Sequence, residues 1–111
     1  MARVFKKVFC AELKGKQRFR RLLGGEPSRC KRLRSGLVTL KPSEAVGEHK
    51  TVNKEEVIIV LKGKALIYYG KNRKIKTRQG SFVYIPPDTR HNVKNPGKKI
   101  LQYVYVTAEC V

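Results

Sequence analysis

The chain has 111 residues, 26 Lys plus Arg against 8 Asp plus Glu, a net charge of +18 and 41% hydrophobic residues. A chain of this size supports one core and one domain, and the apolar share argues against intrinsic disorder. The longest aliphatic run, Val57-Ile58-Ile59-Val60-Leu61, falls far short of the roughly 20 residues of a membrane-spanning helix, and residues 1–16 lack the apolar block of a secretory leader, so the expectation is a soluble cytoplasmic protein without a membrane partner.

Gly and Pro divide the chain into short segments rich in β-branched and aromatic residues. Residues 4–10 read as a first strand. Residues 8–17 carry helix-like charge, but Gly15 and the β-branched neighbours weaken that reading. Residues 17–23 alternate loosely before Gly24-Gly25, and 33–40 form a strand ended by Lys41-Pro42. Residues 46–52 read as a polar strand or arm. Strands follow at 56–61 and 65–69. Gly70-Lys71-Asn72 reads as a hairpin tip, with 74–78 returning. Residues 81–85 stop at Pro86-Pro87, 90–94 at Asn95-Pro96-Gly97, and 99–107 form a long last strand. Nine or ten closely spaced strands predict an all-β sandwich or barrel.

The cations are uneven. Residues 1–36 hold 12 basic and 2 acidic residues, and residues 37–111 hold 14 and 6. Eight acids leave most of the cations without partners, so the surface attracts anions. Without a nucleic-acid motif, any DNA or RNA binding is expected to be weak and to fall with salt. Cys10, Cys30 and Cys110 lack CxxC spacing, which argues against a zinc–thiolate site. They read as reduced, partly buried and dispensable for ligand binding, with a disulfide between two of them as the lesser alternative.

Only two histidines exist, His49 and His91. On strands of period two, His49 shares a face with Thr51, and Glu56 with Ile58 and Val60. Two histidines and a carboxylate on separate strands of a small barrel are placed to converge inside it. Tyr103 and Tyr105 share one face of the last strand, as pocket wall or as sheet packing. Lys50 and Arg90, next to the histidines, should point outward.

These residues resemble the small single-domain cupins. That family's first motif has the shape G(x)5HxH(x)3-4E(x)6G, and here His49, Glu56 and Gly63 follow it, with Thr51 at the second histidine and Ser43 near the opening glycine. The second motif, G(x)5PxG(x)2H(x)3N, is met by Gly80, Pro86, His91 and Asn95, with Asp88 at its middle glycine. Asp tolerates that position where the turn needs left-handed geometry. The resemblance implies a cupin-type jelly-roll β-barrel over residues 1–111, with basic N-terminal strands in 1–36 and the motif-bearing barrel in 37–107. It also implies a homodimer, whose pairing would cover an apolar edge in the first third.

Carried over residue by residue, the family's metal ligands become His49, Glu56 and His91, holding a divalent metal (Zn, Fe, Mn or Ni), with an empty or water-filled cup as the alternative. Thr51, Ile58, Tyr103 and Tyr105 would line the ligand pocket. The implied function is binding of a small polar or anionic molecule, with metal-dependent catalysis on a sugar or organic acid as one form. A non-catalytic sensor or storage domain and a basic nucleic-acid-associated protein are the alternatives. The fold does not choose among them.

Overall fold

The computed structural model describes residues 8–24 and 32–110, and every regular element among them is a strand. In chain order these are β1 (Phe19–Leu23), β2 (Leu33–Leu40), β3 (His49–Lys50), β4 (Lys54–Lys62), β5 (Lys64–Tyr69), β6 (Arg73–Arg78), β7 (Phe82–Ile85), β8 (Arg90–Lys94) and β9 (Leu101–Glu109). They form two antiparallel sheets, β1-β2-β9-β4-β7 and β3-β8-β5-β6.

Side-chain alternation decides which faces meet. In β4, Glu56, Ile58 and Val60 are buried while Glu55 and Ile59 are exposed, the period of two that a one-sided strand requires. The core joins Val38, Leu40, Ile58, Val60, Leu101 and Tyr103 from the larger sheet to Ala65, Ile67 and Val93 from the smaller. Each fully buried aliphatic chain contributes roughly 1.5–3 kcal/mol relative to exposure.

Register extends this inner face into rows across the larger sheet. Phe19, Val38, Tyr103 and Val60 stand opposite one another, then Arg21, Gly36, Tyr105 and Ile58, then Arg34, Thr107 and Glu56. Gly36 belongs to this packing. A Cβ there would meet the Tyr105 and Phe19 rings at under 3 Å, between 2.6 and 2.9 Å. The two rings lie over the glycine and stack with centroids 6.3 Å apart.

The expected strands at 33–40 and 90–94 match β2 and β8. The arm at 46–52 shrinks to His49–Lys50. Its backbone still follows β8, through Val46 N to the Val93 carbonyl and a bridge from Ala45 to Lys94. The ladder breaks at Gly47, which has φ 108° and gives its N–H to the Asn92 side chain instead. Residues 8–17 are neither helix nor strand. This segment is tied to the outer face of the larger sheet, where Gln102 Nε2 donates to the Gly15 carbonyl and Arg20 to those of Glu12 and Lys14. Local charge pattern yields here to tertiary hydrogen bonds. The remainder of the expected first strand, residues 4–7, lies outside the described residues, as does Cys30; Cys10 and Cys110 are free, Cys110 half-buried as expected but Cys10 exposed, because the segment that carries it lies outside the strands.

The motif positions have mainly structural reasons. Asn95 is fully buried. Its Nδ2 donates to the Leu40 and Lys99 carbonyls and its Oδ1 accepts from Gly97 N, so it organises the β8–β9 turn. Gly63, at φ 80°, sits where a Cβ would strike the Ile100 carbonyl oxygen. Asp88 takes φ 58° and Ser43 φ 72°, so both turns keep left-handed geometry without glycine. For an L-residue that geometry costs roughly 1–2 kcal/mol, and glycine's extra chain entropy takes back part of it. Ser43→Gly is therefore expected to stabilise the fold by about 0.5–1 kcal/mol, a rise of a few degrees in the melting temperature. A melting curve no higher than that of the parent protein would refute this.

Candidate metal centre and cavity

The two sheets meet around His49, Glu56 and His91. His49 lies opposite His91 in the β3–β8 pair, and Glu56 reaches them from β4 in the other sheet. Each residue offers one ligand atom, and these atoms lie within 4.8 Å of one another. The two imidazoles meet edge to face with centroids 4.2 Å apart. His91 and Glu56 are buried, 1% and 5% exposed, while His49 is open to solvent.

The ring orientations follow from backbone carbonyls. His91 Nδ1 lies 2.9 Å from the Thr89 carbonyl and His49 Nδ1 2.9 Å from that of Gly47. A carbonyl only accepts, so each Nδ1 carries the proton and each Nε2 is left for another partner. Backbone anchoring of the far nitrogen is how metal-binding histidines are commonly oriented.

His91 Nε2 is the decisive atom. It is buried, has no aligned hydrogen-bond partner, and faces Glu56 Oε1 at 3.2 Å. With Nδ1 protonated, a neutral ring turns its Nε2 lone pair toward a carboxylate oxygen. That contact is repulsive unless a proton or a cation lies between. The donor set suits a divalent cation, since two imidazoles and one carboxylate match zinc and non-haem iron. Ligand atoms about 2.1 Å from one ion stand roughly 3–3.5 Å apart, so the trio needs only a small side-chain closure to meet it.

Without a metal, a proton is what relieves that contact. Burial pulls the His91 pKa down, but the Glu56 carboxylate facing Nε2 and the Thr89 carbonyl at Nδ1 together outweigh it, and the net shift is upward from 6.5. A raised folded pKa contributes stability that is complete below the unfolded value and fades as pH rises through the folded one. Protein held in EDTA is thus expected to melt at a lower temperature at pH 8 than at pH 6. A difference of the opposite sign would remove the His91–Glu56 pair from the account.

Beside the trio opens a cavity of about 470 Å³, lined in part by Phe19, Arg34, Thr51, Lys54, Tyr103, Tyr105 and Thr107. Thr51 sits on the turn before β4, its hydroxyl 3.5 Å from the Lys54 carbonyl, and contributes to the wall rather than to the trio. Tyr103 is buried and Tyr105 half-buried. Burial raises both phenol pKa values, with Arg21 and Arg34 pulling Tyr105 partly back, so both hydroxyls are neutral donors. Ile58 shares their face but is fully buried in the core and is not among the lining residues. Lys50 and Arg90, paired across β3 and β8, are exposed, and Arg90 contacts Glu48 at 3.5 Å.

Arg34 and Phe19 were not singled out as site residues by sequence reasoning. A signal existed: Arg34 precedes Gly36 by two on a strand, so both share the face that Val38 and Leu40 turn to the core.

Residues 36–107 match the family described as Cupin domain. The chain is 36% identical over 69 residues to a mannose-1-phosphate guanylyltransferase of Salmonella montevideo, and 37% identical over 49 residues to an uncharacterized protein of Methanocaldococcus jannaschii. Those stretches cover 62% and 44% of this chain but only 14% and 38% of the relatives. Among solved structures, a cupin-family protein with a double-stranded β-helix fold from M. jannaschii superposes with a TM-score of 0.76 at 20% identity, covering 94% of this chain and 91% of that one. A Cupin 2 conserved barrel protein from Salinispora arenicola gives 0.72 at 24% identity, covering 88% and 80%. These likenesses at low identity concern the fold.

Proposed function

The chain belongs to the cupin domain family, and we propose that its barrel holds one divalent metal through His49, Glu56 and His91 and binds a small polar molecule, a sugar or an organic acid, in the adjoining cavity. The observation that carries this reading is the buried, unpartnered Nε2 of His91 facing Glu56. A mannose-1-phosphate enzyme among the relatives lends the sugar class support.

When bound, such a metal supplies Lewis acidity toward a ligand oxygen. The chain's own groups do the rest. Thr89 and Gly47 fix the imidazoles through their carbonyls. Neutral Tyr103 and Tyr105 offer O–H donors to the cavity, and Phe19 and Val38 give it an apolar wall. A small number of polar groups on an apolar wall is the usual composition of a small-molecule site.

Binding without turnover is the second reading, and the lining itself favours it. Apart from His49 and Glu56 of the trio, the only carboxylate or imidazole lining the cavity among the described residues is that of Glu48, which lies against Arg90. Proton transfer to a ligand has few groups to run through.

Titration of EDTA-stripped full chain with Zn(II), read by calorimetry and by elemental analysis after desalting, tests the metal. One equivalent per chain is expected. Less than a tenth of an equivalent retained, with the fold intact, would reject it.

A further inference from the structure

We propose that the cavity has a second, anion-binding end, built by Arg34 on β2 with Lys54 and Arg21 beside it, and that the ligand is a small molecule carrying a phosphate or carboxylate at the end remote from the metal trio. The inference rests on the functional reading above and names the ligand class for that site.

The cross-strand row carries the argument. Arg34, Thr107 and Glu56 stand opposite one another on β2, β9 and β4, so the guanidinium and the carboxylate of the trio share the inner face. Two strand spacings, roughly 10 Å of backbone, separate them. Both line the same cavity, with Thr107 between. Among the described residues Arg34 has no carboxylate partner, whereas Arg18 and Arg90 pair with Glu44 and Glu48. Lys54, on the same face of β4 as Glu56, also lines the cavity. Arg21, exposed, stands opposite Gly36 on β1 beside this end, and its Nη1 donates to the Gly24 carbonyl at 2.6 Å.

The space between the two ends has the matching chemistry. Phe19 and Tyr105 stack over Gly36 and offer a flat apolar wall, and Thr107 adds a hydroxyl. A ligand with an oxygen at the trio, a compact body against the rings and an anion at Arg34 matches the polar groups at the two ends and the apolar wall between them. A guanidinium is suited to the anion because its fork of N–H donors matches phosphate and carboxylate oxygens. Arg21, Phe19 and Arg34 all precede residue 36, where the family match begins. Of the residues lining this end, Phe19 and Arg34 thus come from the basic N-terminal part of this chain, while Lys54 and Thr107 come from the matched region.

The test titrates mannose 1-phosphate, gluconate and uncharged mannose into full-length protein, both zinc-loaded and EDTA-stripped. Salt is kept near 0.15 M, where the Debye length of about 8 Å screens diffuse attraction. At least one anionic probe is expected to bind about 10-fold tighter than mannose, and Arg34→Gln to lower its affinity about 10- to 100-fold, the range of a charge-assisted contact. Zinc stoichiometry should not change in that variant, since Arg34 is outside the trio. The phosphate and carboxylate arms tell which anion the site prefers. The proposal is overturned if neither anionic probe binds, if mannose binds as well, if Arg34→Gln binds like the parent, or if the outward-facing Lys50→Gln costs as much. Failure of zinc uptake with Arg34-dependent anion binding retained would reject the metal alone.

Discussion

His91→Ala is expected to lower the affinity for zinc by about 100-fold or more. A protein zinc site contributes binding free energy on the order of 10 kcal/mol. One of three protein ligands accounts for about 3 kcal/mol of it, roughly 150-fold in the binding constant. Two companion variants separate this from damage to the fold. Removing His91 leaves the Glu56 carboxylate buried without its partner, so a stability loss of about 1–3 kcal/mol accompanies the metal defect. His49 is exposed and contributes little to the core. His49→Ala should weaken zinc binding severely while shifting metal-free stability by no more than about 0.5 kcal/mol. Lys50→Ala, one residue away and outward-facing, should leave both unchanged. Zinc affinity in His49→Ala equal to that of the parent would remove His49 from the centre.

The fold was legible because its strands alternate and its turns are punctuated. Residues 33–40 match β2 because Lys41-Pro42 stops them, and 90–94 match β8 because they lie between Pro86-Pro87 and Asn95-Pro96. The polar arm at 46–52 reads longer in the sequence than the paired strand is, because hydrogen bonding along β8 continues past the point where Gly47 ends the regular ladder. A propensity reading sees the extended backbone and not the broken pairing. The outcome was similar for residues 8–17, whose conformation is set by Gln102 and Arg20 from distant strands.

The trio was reached through motif spacing, and the structure brings its ligand atoms together across the two sheets. Spacing cannot say that Arg34 lies level with Glu56. That fact depends on the register of two strand pairs, which sets Arg34 opposite Thr107, 73 residues away in the chain, and Glu56 opposite the same Thr107, 51 residues away. Nor does it separate Ile58 from the wall, because a shared face does not distinguish a buried floor from a lined cavity.

Gly36→Val should close the cavity while sparing the metal centre. Valine suits a central strand by propensity, a gain below about 1 kcal/mol. Against it, even the first added carbon would stand 2.6 Å from Tyr105 Cε2, 2.7 Å from Phe19 Cε1 and 2.9 Å from the Tyr105 hydroxyl oxygen. Overpacking of this kind costs about 1–3 kcal/mol. The cost should fall at the lower end, because the obstacles are ring atoms and Phe19 is 47% exposed, so the rings have room to swing away from the sheet. Their room is the cavity itself, and the stacked wall that Phe19 and Tyr105 form would be lost. Binding of the preferred anionic probe should then fall at least about 10-fold, the equivalent of 1.4 kcal/mol. Zinc uptake should persist, since the atoms nearest a Cβ at residue 36 belong to Tyr105 and Phe19 and none to the trio. Loss of zinc together with the probe would mean that the two ends of the cup are not separate. An unchanged melting temperature with unchanged probe affinity would mean that the rings over Gly36 are not held as the stacking geometry places them.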